Sequence, residues 1–148
     1  MKKSIFLAAL VLISAGCFAQ KANVSKARSL ADAETPDYAG AREAIAEALQ
    51  NDETKDQPNT WYTAGFIGYK EFYNGNVKMQ LGQTLDKKAW GDAVYESLKY
   101  WTKAYELAKI PTIDKKGKEK FDTRTPKSIV PKVVEYFNSM PLIIAGFD

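Results

Sequence analysis

Apolar residues recur every three to four positions in several stretches and nowhere alternate, so the pattern predicts helices and no strands. The densest stretch is Thr60 to Tyr73, TWYTAGFIGYKEFY. Trp61, Ala64, Gly65, Gly68 and Phe72 form one stripe at helical spacing, and Tyr62, Phe66, Tyr69 and Tyr73 form a second beside it. A helix apolar on two sides is packed on two sides, and the small residues of the first stripe let a neighbouring helix come close. Asn74-Gly75-Asn76 reads as the stop of this helix.

Other helices flank it. Lys21 to Ala33 carries Val24, Ala27, Leu30 and Ala31 on one face and ends before Pro36. Asp37 caps a second helix from Tyr38 to Gln50, with Ala41, Ile45, Ala48 and Leu49 on a narrow face. Asn51 to Asn59 is a polar turn. Val77 to Lys88, weakened by Gly82, reads as an inserted loop with one helical turn. From Ala89 to Ala108, with Asp86 as cap, the set Ala93, Val94, Ser97, Leu98, Trp101, Ala104, Tyr105 and Ala108 keeps helical spacing. Ile110 to Thr125 is lysine-rich and reads as a solvated loop. Thr125 then caps a helix with Pro126 in its first turn and Ile129, Val130, Val133, Val134 and Phe137 on its apolar face. Pro131 is expected to kink it, and Pro141 to start a further apolar segment, Leu142 to Phe147. The fold class expected is all-α, built of antiparallel helix pairs.

The N-terminus changes the picture of where the chain works. Lys2 and Lys3 precede a short apolar run, Ile5 to Ile13, and Cys17-Phe18-Ala19 supplies small residues before a cut. Residues 1–19 read as a secretory signal peptide cleaved between Ala19 and Gln20, which implies an exported, periplasmic or envelope-associated protein with no transmembrane helix in the mature chain. Ala15-Gly16-Cys17 offers lipoprotein processing at Cys17 as the alternative, with Ser14 against it. The rest, residues 20–148, is long enough for one domain with a core.

Composition then narrows the chemistry. The chain is 45% hydrophobic and 26% charged, an ordinary globular balance. Without Lys2 and Lys3 it holds 19 basic and 18 acidic residues, which gives no electrostatic case for nucleic acid. There is no histidine, and Cys17 is the single cysteine. Histidine-based triads and intrachain disulfides are therefore excluded. Glu43 with Glu47, or Glu71 with Asp86, would be the carboxylates left for catalysis. Glu43 and Glu47 lie one turn apart on a polar face, and no nucleophile–base pair or metal ligand set is visible. The expectation is a non-enzyme with no cofactor and no metal.

An internal echo suggests how the helices are arranged. Trp61-Tyr62-Thr63-Ala64-Gly65-Phe66 recurs as Leu142-Ile143-Ile144-Ala145-Gly146-Phe147. Ala41, Ile45 and Ala48 are spaced as Ser97, Trp101 and Ala104 are. Here the chain resembles the tetratricopeptide repeat, in which a helix with W-x-x-L-G pairs with one carrying small-x-x-x-large-x-x-small. Trp61, Ala64 and Gly65 match the first helix; Ala41, Ile45 and Ala48, then Ser97, Trp101 and Ala104, match the second. The general look is that of secreted repeat proteins of Bacteroidetes-type bacteria. The departure is an excess of about 20 residues between Gly65 and Ser97 over the family's period. The resemblance implies a short α-solenoid with units of about 22–51 and 58–109 and a partial unit from about 125. It also implies an N-terminal fragment of a longer protein, or self-association through the apolar C-terminal end.

In that family the first helices of successive units line a concave groove. By position Asn59, Tyr62, Thr63, Phe66, Tyr69 and Lys70 would face it and bind a peptide or partner protein. The competing reading is that the three aromatics are core. An alternative function is a glycan- or nutrient-uptake-associated envelope protein. There Trp90 would stack on a sugar, because Trp61 and Trp101 hold packing positions.

Overall fold

The computed structural model describes residues 21–145. The stretch expected to be a signal peptide, its expected cleavage site, Cys17, Gly146 and Phe147 lie outside the described residues, as do the side chains of Leu142, Ile143, Ile144 and Ala145. The fold is all-α. Helix α1 is described over residues 21–31. It is followed by α2 (Tyr38–Gln50), α3 (Pro58–Gln80), α4 (Lys87–Ala108) and α5 (Arg124–Ala145). Between α4 and α5 the loop pairs Thr112–Ile113 (β1) with Glu119–Lys120 (β2), antiparallel, with Thr112 opposite Lys120. This two-residue ladder corrects the expectation of no strands, while the segment is exposed as a solvated loop should be. Asp114 builds its turn by accepting from the backbone N–H groups of Lys116 and Lys118, and Gly117 supplies the left-handed φ of 74°. No described helix is long and apolar enough to cross a membrane.

Local chemistry sets most helix ends. The Asp37 carboxylate accepts from the N–H of Gly40 at 2.8 Å, and Asp86 from that of Ala89 at 3.0 Å, as a cap requires. At α5 the cap is Asp122, not Thr125. Asp122 accepts from the N–H groups of Arg124 and Thr125 and from the Thr125 hydroxyl. Pro131 and Pro141 both lie inside α5, which runs through them to Ala145 rather than restarting at Pro141.

The largest departure concerns α3. It does not stop at Asn74-Gly75-Asn76 but continues to Gln80, and the expected insertion of residues 77–88 becomes extra turns on α3 and α4 joined by a short turn. A glycine stops a helix by adopting positive φ, and Gly75 does not. It stays helical because its bare Cα makes room for Trp90: a Cβ there would lie 2.6 Å from the indole Cδ1. The true stop is Gly82, at φ 67°. Its N–H reaches the Met79 carbonyl while that of Gln83 reaches Lys78, a Schellman ending.

Two apolar clusters meet on α3. One joins Val24, Ala27 and Ala31 of α1 and Ala41, Ile45 and Ala48 of α2 with Ala64 and Ile67 of α3. The other joins Tyr62 and Phe72 with Trp90, Ala93, Trp101 and Ala104 of α4 and Ile129 and Tyr136 of α5. Along the α3–α4 seam Gly65 faces Trp101 and Gly68 faces Ala93 and Ser97. Trp101 and Trp90 anchor the seam by donating indole N–H bonds to the carbonyls of Tyr62 and Phe72, each at 3.1 Å. Ala41, Ala48, Gly65 and Ala104, the small residues on which close packing depends, are all buried. Arg42 of α2 adds a polar clasp, reaching Glu71 of α3 at 2.6 Å and Glu96 of α4 at 2.5 Å.

Helix α3 packs on α2, α4 and α5, and α4 on α5, while α1 joins α2 and α3 through the first cluster. The apolar face expected on α5 is only half used. Ile129 and Tyr136 are buried and Val133 is partly buried, whereas Val130, Val134 and Phe137 are exposed.

Candidate interaction surface

The helical period of α3 lines up Tyr62, Phe66, Tyr69 and Tyr73, and their rings form a ladder with successive centroids 6.2, 6.3 and 6.4 Å apart. The ladder lies between α1 and α5. Arg28 of α1 sits over Phe66, its guanidinium carbon 5.1 Å from the ring centroid, and 5.7 Å from that of Tyr62. Lys132 of α5 sits 5.4 Å over Tyr69, and Lys70 of α3 is 6.0 Å from Phe66. Each such cation–ring contact contributes about 0.5–1 kcal/mol where water reaches it.

The charges are not equivalent. Lys70 is paired with Asp32 at 2.7 Å. Glu135 accepts from the Tyr69 hydroxyl at 2.6 Å. Partial burial, then this bond, pushes the Tyr69 phenol well above its ordinary pKa, so it stays a neutral donor. Arg28 and Lys132 carry no carboxylate partner among the described residues. The surface therefore offers the rings of Tyr69 and Tyr73, backed by the buried Tyr62 and Phe66, with two unneutralised cations.

Of the six residues expected in a groove, Tyr62, Phe66, Tyr69 and Lys70 do share this strip. Tyr62, Thr63 and Phe66 are at most 6% exposed, however, so they support it and are not reachable contacts. Tyr69 and Lys70 are half-buried and reachable. Asn59 is elsewhere: it lines an open cleft of about 830 Å³ beside Asp56, Phe121 and Arg124, under the β1–β2 hairpin. Arg28, Lys132 and Glu135 did not emerge from the sequence. Arg28 lies one turn from Val24 on α1, and Lys132 between Ile129 and Tyr136 on α5, so a full two-sided periodicity of both helices would have pointed to them.

Trp90 corrects a second expectation. It is 2% exposed and stacked on Phe72 with ring centroids 5.5 Å apart, so it offers no face to a sugar. Among the described residues no cluster of three or more His, Cys, Asp or Glu is placed to hold a metal ion. Nearby, the buried Tyr136 hydroxyl lies beside Ser97, whose own proton goes to the Ala93 carbonyl at 2.9 Å. Burial pushes that phenol strongly upward as well.

Comparison of the chain with family models, with curated proteins and with solved structures finds no match in any of the three.

Proposed function

We propose that this chain is a non-catalytic interaction scaffold of tetratricopeptide-repeat type, exported to the periplasm or envelope, which holds a peptide or partner protein on the face shared by α1, α3 and α5. What supports the reading is the order of contacts. Arg28 brings α1 over α3, Tyr136 and Glu135 bring α5 against α3, and Arg42 ties α2 to α4. These links are in keeping with odd-numbered helices in one layer and even-numbered helices in the other, the arrangement of stacked helical hairpins, with the Arg42–Glu96 pair as the tie between α2 and α4. The aromatic ladder runs along the odd layer. Rigid rings with a few polar neighbours are what peptide recognition uses.

Arrays of short peptides of varied charge, probed with the purified protein, test this. Retention of a subset is expected, and it should weaken at least tenfold in a variant carrying Arg28→Glu and Lys132→Glu, which should stay folded by circular dichroism with a melting temperature lowered by several degrees as the cation–ring contacts are lost. Retention of no peptide, or retention indifferent to the two substitutions, would overturn the proposal.

A further inference from the structure

The outer side of α5 has a counterpart inside the molecule. Helix α5 begins 66 residues after α3, at Arg124 against Pro58. With that offset Ile129 and Val133 fall on Thr63 and Ile67, and all four are buried or partly buried. Val130, Val134 and Pro141 fall on Ala64, Gly68 and Gly75. In α3 those three positions are inside the molecule, and Gly68 and Gly75 are covered by α4. In α5 they are exposed, Val130 by 53% and Val134 by 51%, with Phe137 between the last two at 67%.

The neighbouring helix repeats the same asymmetry. Ser97, Trp101 and Ala104 of α4 stand where Ala41, Ile45 and Ala48 stand on α2, all of them buried. In that alignment Leu98 and Tyr105 occupy the places of Arg42 and Leu49. Arg42 contacts the next even-numbered helix, and Leu49 packs on the first cluster. Leu98 and Tyr105 are 38% and 40% exposed. The seam that α4 fills beside α3 therefore has an open counterpart along the outer edge that the packed pair α4 and α5 presents.

We propose that this seam is filled by a second copy of the chain, α5 against α5 about a two-fold axis near Val134, giving a four-helix bundle of two α4–α5 pairs. Self-complementarity argues for the second copy. Antiparallel pairing about Val134 sets the small Val130 against the large Phe137 of the second copy, and the reverse, so that bulk meets hollow at both ends. Tyr136 lies beside Ser97 and Trp101, and the end of α4 lies near the start of α5, so the two helices are antiparallel. The incoming α5 then runs parallel to α4 and brings its Val130 toward Leu98 and its Phe137 toward Tyr105. Charge does not oppose the arrangement: Lys127, exposed beside the stripe, falls opposite Pro141 of the second copy and not opposite another cation. Area also fits. Val130, Val134, Phe137, Leu98 and Tyr105 leave on the order of 500 Å² in water, near the top of what a monomer's largest patch shows. With their polar rim they approach the roughly 800 Å² per partner of a stable interface. The inference is independent of the peptide-binding face, which uses other residues.

Sedimentation equilibrium of the purified protein tests it, with Phe137→Glu and, as a control outside the seam, Tyr95→Glu. A mass of two chains is expected for the parent and for the control, with dissociation of Phe137→Glu favoured ~100-fold or more. A parent that is monomeric across the micromolar range, or a dimer indifferent to Phe137→Glu, would overturn the proposal. Oxidative cross-linking needs no loss of binding to be informative. Val134→Cys should give a covalent dimer much faster than Tyr95→Cys, and equal rates would count against the two-fold axis.

Discussion

The two sides of α3 reach the same closeness by opposite means. Toward α1 and α2 it is alanine against alanine, with Ala27, Ala31, Ala41, Ala48 and Ala64 around Ile45 and Ile67. Toward α4 it is nothing against very large: Gly65 and Gly75 are hollows, and Trp101 and Trp90 fill them. An alanine seam spreads its contacts over many small groups, each replaceable at modest cost. A glycine–tryptophan seam concentrates them, so one side chain holds most of the packing and its indole N–H also satisfies a buried carbonyl of the opposite helix.

Substitutions can break or sharpen that contrast. The largest effect is expected from Trp101→Ala, which empties the hollow over Gly65 and removes the indole bond to the Tyr62 carbonyl, a second bond beside the helical one that carbonyl keeps. It should cost ~3–5 kcal/mol in urea unfolding, whereas Ala48→Gly on the other seam should cost about 1 kcal/mol. Equal losses would mean that the two seams share load evenly. Next comes Gly65→Ala. The added methyl gains up to about 1 kcal/mol of helix propensity. Its Cβ would nonetheless lie 2.4 Å from the Trp101 ring and 2.9 Å from the Ser97 carbonyl, so a net loss of about 1–3 kcal/mol is expected. A stabilised Gly65→Ala variant would show that the seam is loose.

The smallest effect belongs to the start of α5, which neither seam holds. Burial raises the Asp122 carboxyl, but hydrogen bonds from Thr125 and Arg124 outweigh it and hold the group below its usual value. A depressed folded pKa stabilises above the unfolded value and loses that contribution as pH falls through the folded one. Asp122→Ala should therefore cost ~1 kcal/mol at neutral pH, and the charge-dependent part of the deficit should fade below about pH 4. A deficit unchanged at pH 2 would show that the carboxylate's charge plays no part.

Most local signals were readable, the α5 cap at Asp122 rather than Thr125 being the exception, and partnered ones were not. Asp37 and Asp86 capped as expected because a cap is decided within three residues. The core positions Ala41, Ile45, Ala48, Trp101 and Ala104 followed from periodicity alone. Gly75 was misread as a stop because its role is set by Trp90, 15 residues away, and nothing beside it in sequence says whether a glycine is there for φ or for space. The apolar face of α5 was visible, but which half is covered depends on how many helices stand next to it. Tyr136, next to Phe137 and buried where Phe137 is exposed, was missed for the same reason. Of the interaction strip, the α3 ladder could be read off the spacing. Its cations come from helices whose placement over α3 is a tertiary fact.

The lengthened α3–α4 arms carry one further consequence. Phe72, Gly75 and Trp90 lock the two arms like teeth of a zip, so growth of one arm without equal growth of the other would rotate each tooth away from its gap by about 100° per residue. Extra residues can enter this hairpin only as matched additions to both arms or at the turn around Gly82. A length that looks arbitrary along the chain is thereby held to a register in space.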